Sequence, residues 1–161
     1  MFYTYLTLGR ACQQGVPDLV YIDLDKGQLD DPDAFNSLTL PALLIGQTDL
    51  DWSQLANRSR LGVGIVTTKT VVRLPAHTFL SHPAAAAHLL TLDVAERVEA
   101  VLLEQPGVTT CTNTKEYASG PYYVVEQTYA VSYKTGPTYR QQEVALTVNP
   151  FFHRPTPTPT A

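Results

Sequence analysis

A long alternating stretch, GVGIVTTKTVVRL from Gly62 to Leu74, constrains the fold more than any other feature of this chain. Its β-branched residues recur with a period of two, which is typical of a β-strand with two distinct faces. One face takes Val66, Thr68, Thr70, Val72 and Leu74, and the other takes Ile65, Thr67, Lys69, Val71 and Arg73. Pro75 ends the pattern, so the sequence predicts a strand over these residues.

Two segments on either side of this strand have helical spacing. Residues 1–15 are predicted to form a helix that ends at Gly15, with an apolar stripe of Leu6, Leu8, Ala11 and Cys12. A second helix is predicted from about Leu92 to Gln105, with an apolar stripe of Val94, Ala95, Val98, Val101 and Leu102. Asp93 and Glu96 have the spacing of a capping box at its start.

Shorter apolar runs precede the long strand. Residues 19–25 are predicted to form a short strand that leads into an acidic turn. The run PALLIGQT, from Pro41 to Thr48, has the length and composition of a buried central strand. We expect the segment from Leu50 to Arg60, which contains Trp52, to be a loop or a single helical turn.

The second half of the chain predicts a hairpin. Val108–Tyr117 and Tyr122–Tyr133 flank the turn residues Ser119-Gly120-Pro121. In the second of these strands one face carries Tyr123, Val125, Tyr129, Val131 and Tyr133. This face indicates a core or a subunit interface, because it lacks the interleaved Arg and Lys of a nucleic-acid surface.

This order of elements predicts an α+β fold, with a mainly antiparallel β-sheet flanked by an N-terminal helix and a second helix. Residues 1–134 are predicted to form that domain. Residues 135–161 are predicted to be a C-terminal extension, with one further strand over Thr138–Val148 and an extended Pro-Thr tail.

Charge is unevenly distributed along the chain. The net charge is −4, yet the segment from Asp18 to Asp51 holds eight acidic residues and one lysine, a local charge of −7. This segment is unsuited to gripping nucleic acid and suits a repulsive surface or head-to-tail subunit contacts. No apolar run is long enough to span a membrane, and we find no signal peptide, so we expect synthesis in a cytoplasm.

The acidic stretch VYIDLDKGQLDDPD, residues 20–33, is the main candidate for chemistry. Asp23 and Asp25 follow an apolar strand, as the Asp-x-Asp of haloacid-dehalogenase-type Mg²⁺-dependent phosphohydrolases does. However, Gly27 stands where those enzymes usually have a hydroxyl or small β-branched residue, and the chain lacks a repeating βα pattern. The alternative is a solvated acidic turn, which the sequence favours.

No other motif indicates catalysis or a cofactor. His77, His82 and His88 lack the Cys partners or close pairing of a zinc site. Gly62 and Gly64 open a strand and are not followed by the third glycine of a dinucleotide loop. The sequence therefore predicts a protein that assembles, with no catalytic residues, metal or cofactor.

The chain finishes with FFHRPTPTPTA, whose alternating Pro and Thr favour an extended conformation and cannot pack a core alone. We expect this tail to lie against a neighbouring subunit, with Phe151, Phe152 and Arg154 as its anchors. A weaker alternative is a binding module that recruits partners through the tail.

Together these elements resemble a known family. The N-terminal helix, IDLDKGQL (Ile22–Leu29), PALLIG (Pro41–Gly46), the long strand, the second helix and the hairpin are similar to the small tail terminator and tail-completion proteins of long-tailed bacteriophages and prophages. The resemblance covers about residues 1–134 and rests on element order more than on diagnostic residues.

The resemblance implies a structural role in the virion neck, in a protein synthesised in the bacterial host cytoplasm. A ring of six copies would cap the tail tube and present a surface to the head–tail connector, with DNA only passing through the lumen and no membrane involved. A tail-completion or head–tail connector protein is the sibling alternative. The candidate lumen or subunit-interface residues are Asp23, Asp25, Gln28, Asp30, Asp31 and Asp33.

Overall fold

A computed structural model describes residues 2–31, 33–34, 38–46, 49–55, 58–74 and 93–136. Within these ranges the helices are α1 (Phe2–Gly15) and α2 (Val94–Leu103). The strands are β1 (Tyr21–Leu24), β2 (Ala42–Ile45), β3 (Asp49–Gln54), β4 (Arg60–Arg73), β5 (Val108–Ser119) and β6 (Tyr122–Thr135).

The six strands form one sheet, in which β1-β2-β4-β6-β5 are successive neighbours and β3 pairs with β4 off this path. β1 and β2 are parallel, and the other pairs are antiparallel. β2 and β3 both pair with the same strand, β2 with the second half of β4 and β3 with the first half. The predicted α+β class, with a mainly antiparallel sheet and two helices, is confirmed.

β4 is a central strand of the sheet, and its residues alternate between the two faces as the sequence predicts. Its even-numbered residues Val66, Thr68, Thr70 and Val72 are buried on the face that carries the helices. β6 pairs with it along its whole length, from Arg60 opposite Thr135 to Arg73 opposite Tyr122. The tyrosine-bearing face of β6 lies on the same side, so this face belongs to the core of the chain.

The two helices cover this core face together. Leu8 and Cys12 of α1 and Val98 and Leu102 of α2 are almost completely buried there. The helices lie close enough that a Cβ on Gly15 would come within 2.5 Å of Val101. The predicted second helix is confirmed with narrower bounds, because it begins at Val94 and ends at Leu103.

The predicted capping box at the start of α2 is wrong. Asp93 occupies the N-cap position in a helical conformation, and its side chain makes no capping hydrogen bond. Its carboxylate instead accepts a hydrogen bond from Arg97, 3.1 Å away. An Asp residue that already has helical dihedral angles cannot aim its side chain back at the first N–H groups, so a salt bridge takes its place.

The segment Leu50–Arg60 was expected to be a loop or a helical turn, and this is also wrong. Residues Asp49–Gln54 form β3, which pairs with β4 from Asp49 opposite Ile65 to Gln54 opposite Arg60. Two glycines permit this approach. A Cβ on Gly64 would overlap the carbonyl oxygen of Asp49, and one on Gly62 would touch the Trp52 ring at 3.0 Å. The G-x-G of this strand therefore makes room for β3.

The predicted hairpin is confirmed as β5 and β6, joined at Gly120-Pro121. β5 lies at the edge of the sheet and is irregular in its first half, with register shifts at Thr109 and Thr112. Each of these threonine hydroxyls donates a hydrogen bond of 3.0 Å back to a carbonyl of β6. Bulges of this kind twist an edge strand and make it a poor template for a further strand.

On the face opposite the helices, a second core covers only one end of the sheet. Ala42, Leu44, Val71, Tyr122 and Val124 are buried there. Leu29, Leu38 and Leu40, from the connection between β1 and β2, pack over them. At the other end of this face Val63 and Ile65 are 51% and 47% exposed. The connection between β1 and β2 therefore covers one end of this face and leaves apolar side chains exposed at the other end.

Several expectations lie outside the described residues. They are the further strand over Thr138–Val148, nearly all of the extension 135–161, the tail anchors Phe151, Phe152 and Arg154, and the histidines His77, His82 and His88.

Candidate functional site: the acidic strand end and the uncovered sheet face

Asp23, near the end of β1, is the centre of a hydrogen-bonded turn. Its carboxylate accepts hydrogen bonds from the Tyr21 hydroxyl at 3.0 Å, the Lys26 ammonium at 2.9 Å and the Leu24 backbone N–H at 2.8 Å. Burial alone would raise the pKa of Asp23, but these donors outweigh burial and hold that pKa below its ordinary value. Asp23 is therefore a charged residue that closes the turn.

Gln28 is buried and locks the same turn from inside. Its Oε1 accepts from the Lys26 backbone N–H at 2.6 Å, and its Nε2 donates to the Leu24 carbonyl at 2.7 Å and to Asp23 at 3.3 Å. Gly27, between them, has φ +82°, a conformation that favours glycine. The sequence KGQ after the strand thus encodes the turn.

Asp25 is held by a residue far away in the sequence. Its Oδ2 lies 2.7 Å from Nζ of Lys69 in β4, and the two side chains are only 16% and 19% exposed. Burial lowers the pKa of Lys69, but the hydrogen bond and charge of Asp25 prevail, so that pKa lies above its ordinary value. This ion pair ties the acidic strand end to the centre of the sheet.

Lys69 also belongs to a row of register partners that crosses the face opposite the helices. The row contains Asp23, Leu44, Lys69, Glu126 and Lys115, one residue from each successive strand. The charges along it alternate in sign, and the Tyr117 hydroxyl lies 3.5 Å from the Glu126 carboxylate. Opposite charges on neighbouring strands favour this register, and the charge of Glu126 helps to raise the pKa of Lys69.

These contacts bear on the phosphohydrolase alternative. Asp23 and Asp25 face the same side of the sheet, but each carboxylate is engaged by a lysine of the chain. Within the described ranges, no three His, Cys, Asp or Glu side chains are grouped so that they could hold a metal ion. Each carboxylate therefore forms an ion pair within the chain.

The remaining predicted site residues separate from this cluster. Asp30, Asp31 and Asp33 are exposed on the segment that follows Gln28. The Asp30 N–H donates to the Gly27 carbonyl at 2.9 Å, and the Asp33 N–H donates to the Asp31 carboxylate at 3.0 Å. The structure therefore divides the predicted set into three internally bonded residues and three solvent-facing acids.

A second surface was not predicted from the sequence. Val63 and Ile65 stand half exposed on the face opposite the helices, and their register partners on β3 are Asp51 and Asp49, both exposed. Opposed residues in an antiparallel pair share a face, so two apolar side chains are bordered by two carboxylates. We call these four residues the uncovered strip.

The alternating sequence of β4 predicted part of these surfaces. It already placed Ile65 and Lys69 on one face and separated them from the core residues. It did not show which end of that face is covered, because the covering residues come from the connection between β1 and β2.

Comparison of the chain with protein-family models and with curated proteins gave no match. Neither α1 nor α2, nor any other helical stretch that the structure describes, has the length and apolar character needed to cross a membrane.

Proposed function

We propose that this chain is a structural protein of the virion neck, a tail terminator whose copies close into a ring on the tail tube. The observation that carries the proposal is the half-covered sheet. Val63 and Ile65 expose about half of their surface in a single copy, on a regular strand where apolar side chains would normally be buried. Apolar surface bordered by polar residues is typical of a protein–protein contact.

The element order supports the same proposal. The resemblance to tail terminators rests on an N-terminal helix, an acidic strand end, a long strand, a second helix and a hairpin. The described residues contain each of these elements in that order. Fold alone does not determine function, so the order supports the proposal without carrying it.

The exposed aspartates after β1 would contribute to such a ring. Asp23 and Asp25 are engaged inside the chain, so a repulsive or register-setting role falls to the exposed residues Asp30, Asp31 and Asp33. Solvent-facing carboxylates on a lumen wall would keep DNA phosphates from adhering during passage. On a subunit interface the same residues would select a basic neighbour.

The partners proposed for the ring are the tail tube protein on one side and the head–tail connector on the other. The tail anchors Phe151, Phe152 and Arg154 are proposed to lie against a neighbouring subunit. A tail-completion or connector protein would use the same kind of assembly, so the first experiment tests the assembly itself.

The test is the native mass of the purified chain over a concentration series, with negative-stain images of the largest species. We expect a discrete multimer that appears as a ring with a central hole. A chain that remains monomeric at every concentration would contradict the proposal.

Two variants refine the result. Replacing Asp30, Asp31 and Asp33 together by Asn should leave the fold intact, because their side chains are exposed, and should alter ring formation or DNA passage.

Removal of residues 150–161 should weaken assembly. Unchanged assembly in the truncated chain would argue against the proposed role of the tail.

A further inference from the structure

The exposed apolar side chains of the domain fall on opposite sides of the sheet. One group is the uncovered strip, with Val63 and Ile65. Another lies on the helix side, where Leu6 of α1 is 47% exposed and Val20, just before β1, is 62% exposed. A single copy leaves both groups in water, and neither can reach the other within one chain because the sheet separates them.

Two grooves flank the outer surface of α1. A groove of about 650 Å³ lies between α1 and α2, and a second of about 430 Å³ lies between α1 and the residues leading into β1. Leu6 and Arg10 line both grooves. The ridge between the grooves is therefore an exposed leucine followed, one helical turn later, by an arginine.

The ridge of α1 and the uncovered strip carry charges of opposite sign, and Glu104 also lines the groove between the helices. Arg10 is the single charged residue in α1, and it is exposed. The uncovered strip carries the exposed carboxylates Asp49 and Asp51. In the described part of the chain these three residues take part in none of the ion pairs. One surface thus combines apolar side chains with a positive charge, and the other combines apolar side chains with negative charges.

We propose that the uncovered strip of one copy docks on the outer face of α1 in the next copy, with Val63 and Ile65 against Leu6 and Val20, and Asp49 and Asp51 near Arg10. This contact joins two different surfaces on opposite sides of the domain. Contacts of this kind repeat from copy to copy and generate rings or filaments, whereas a two-fold pair would use one surface twice.

The β5 edge of the sheet is a competing surface, and its structure disfavours it. β5 is long and lies at the edge, but its first half is bulged at Thr109 and Thr112. Bulges on an edge strand oppose the addition of another strand. The inference rests on the proposed ring and specifies which surfaces would close it.

Charge reversal in the full-length chain tests the contact. Arg10→Glu alone, and Asp49→Lys with Asp51→Lys, should each raise the dissociation constant of the multimer by about tenfold or more, because each sets like charges against one another. A chain that carries all three substitutions should assemble nearly as well as the unmodified chain. Glu96→Lys, on the exposed surface of α2 and outside both grooves, is the matched control for a change of charge elsewhere.

Cysteine cross-linking gives a second, independent readout. Chains with Leu6→Cys and chains with Val63→Cys should form a disulfide-linked dimer when mixed under oxidising conditions, and far less when each is oxidised alone. Strong self-linking of the Val63→Cys chain alone would indicate a two-fold pairing of uncovered strips and overturn the inference.

The outcomes separate the two proposals. A multimer that forms but is insensitive to all of the charge reversals overturns the docking surfaces and leaves the proposed ring standing. An unmodified chain that does not assemble at all overturns both. Circular dichroism spectra of each variant confirm that a loss of assembly is not a loss of fold.

Discussion

Replacement of Lys69 by Met is the sharpest test of how the acidic strand end is held. The substitution keeps the length of the side chain and removes its charge. It leaves the Asp25 carboxylate without its cation, and it leaves Glu126, the register partner of Lys69, beside an apolar side chain. We therefore expect a loss of stability that arises from uncompensated charge.

The expected magnitude follows from burial. Exposed ion pairs contribute about 0–1 kcal/mol, whereas removal of one partner from a buried pair costs about 3–5 kcal/mol. The side chains of Lys69 and Asp25 are 19% and 16% exposed, which places the pair between these limits. We expect Lys69→Met to lower the free energy of unfolding by about 2–3 kcal/mol. For a chain of this length that is a fall in melting temperature of about 5–10 °C.

The control is the other lysine of the site. Lys26 pairs with Asp23 at 2.9 Å, but its side chain is 61% exposed and solvent screens the pair. Lys26→Met should therefore lower the free energy of unfolding far less than Lys69→Met does. Urea denaturation followed by far-UV circular dichroism measures both variants against the unmodified chain.

The pH dependence identifies the cause. The pKa of Lys69 is raised in the folded chain, so its contribution is fully present below the ordinary lysine pKa of about 10.4 and is lost as pH rises through the folded value. The difference between the unmodified chain and Lys69→Met should be constant near neutral pH and shrink at strongly alkaline pH. Equal losses for the two lysine variants, or a difference that persists at high pH, would refute this reasoning.

Two further predictions concern other parts of the sheet. Gly64→Ala should detach β3, because a Cβ there would overlap the Asp49 carbonyl, and amide hydrogen exchange in β3 should become faster. Gly9→Ala is the control and should be tolerated, because its Cβ would meet its nearest neighbour at 3.6 Å. The hydrogen bond from Tyr123 to Glu116 raises the pKa of Tyr123 to about 12, so an absorbance titration should show a late phenolate step that Tyr123→Phe removes. Absence of that step in the unmodified chain would contradict the contact.

The elements read correctly from the sequence are those that bury one face in the core of the domain. β4 alternates because one of its faces packs under the helices, and α2 shows a stripe because Val98 and Leu102 pack on the sheet. β3 shows no such pattern, since nearly all of its side chains are exposed. Its pairing depends on space left by glycines in β4, and a propensity argument does not detect that dependence.

The candidate site divides in a similar way. The density of aspartates marked the turn after β1, but the hydrogen bonds by which Gln28 locks that turn were not predicted. The partner of Asp25 could not be predicted, because Lys69 lies in another strand and reaches it only through the order β1-β2-β4. Sequence spacing specifies contacts within an element, whereas the neighbour of a charged residue across a sheet depends on topology.

The uncovered strip shows where this limit matters for function. Val63 and Ile65 are β-branched apolar residues, like the buried valines of β4. The alternation correctly assigns Ile65 to the face opposite the helices. The connection between β1 and β2, which includes Leu29 and Leu38, packs over the other end of that face. It does not reach Val63 and Ile65, so these two side chains stay half exposed. If the remaining cover is supplied by α1 of the next copy, part of the core of this domain exists only in the assembly. Substituting Leu6 would then weaken the multimer while leaving the isolated chain as stable as before.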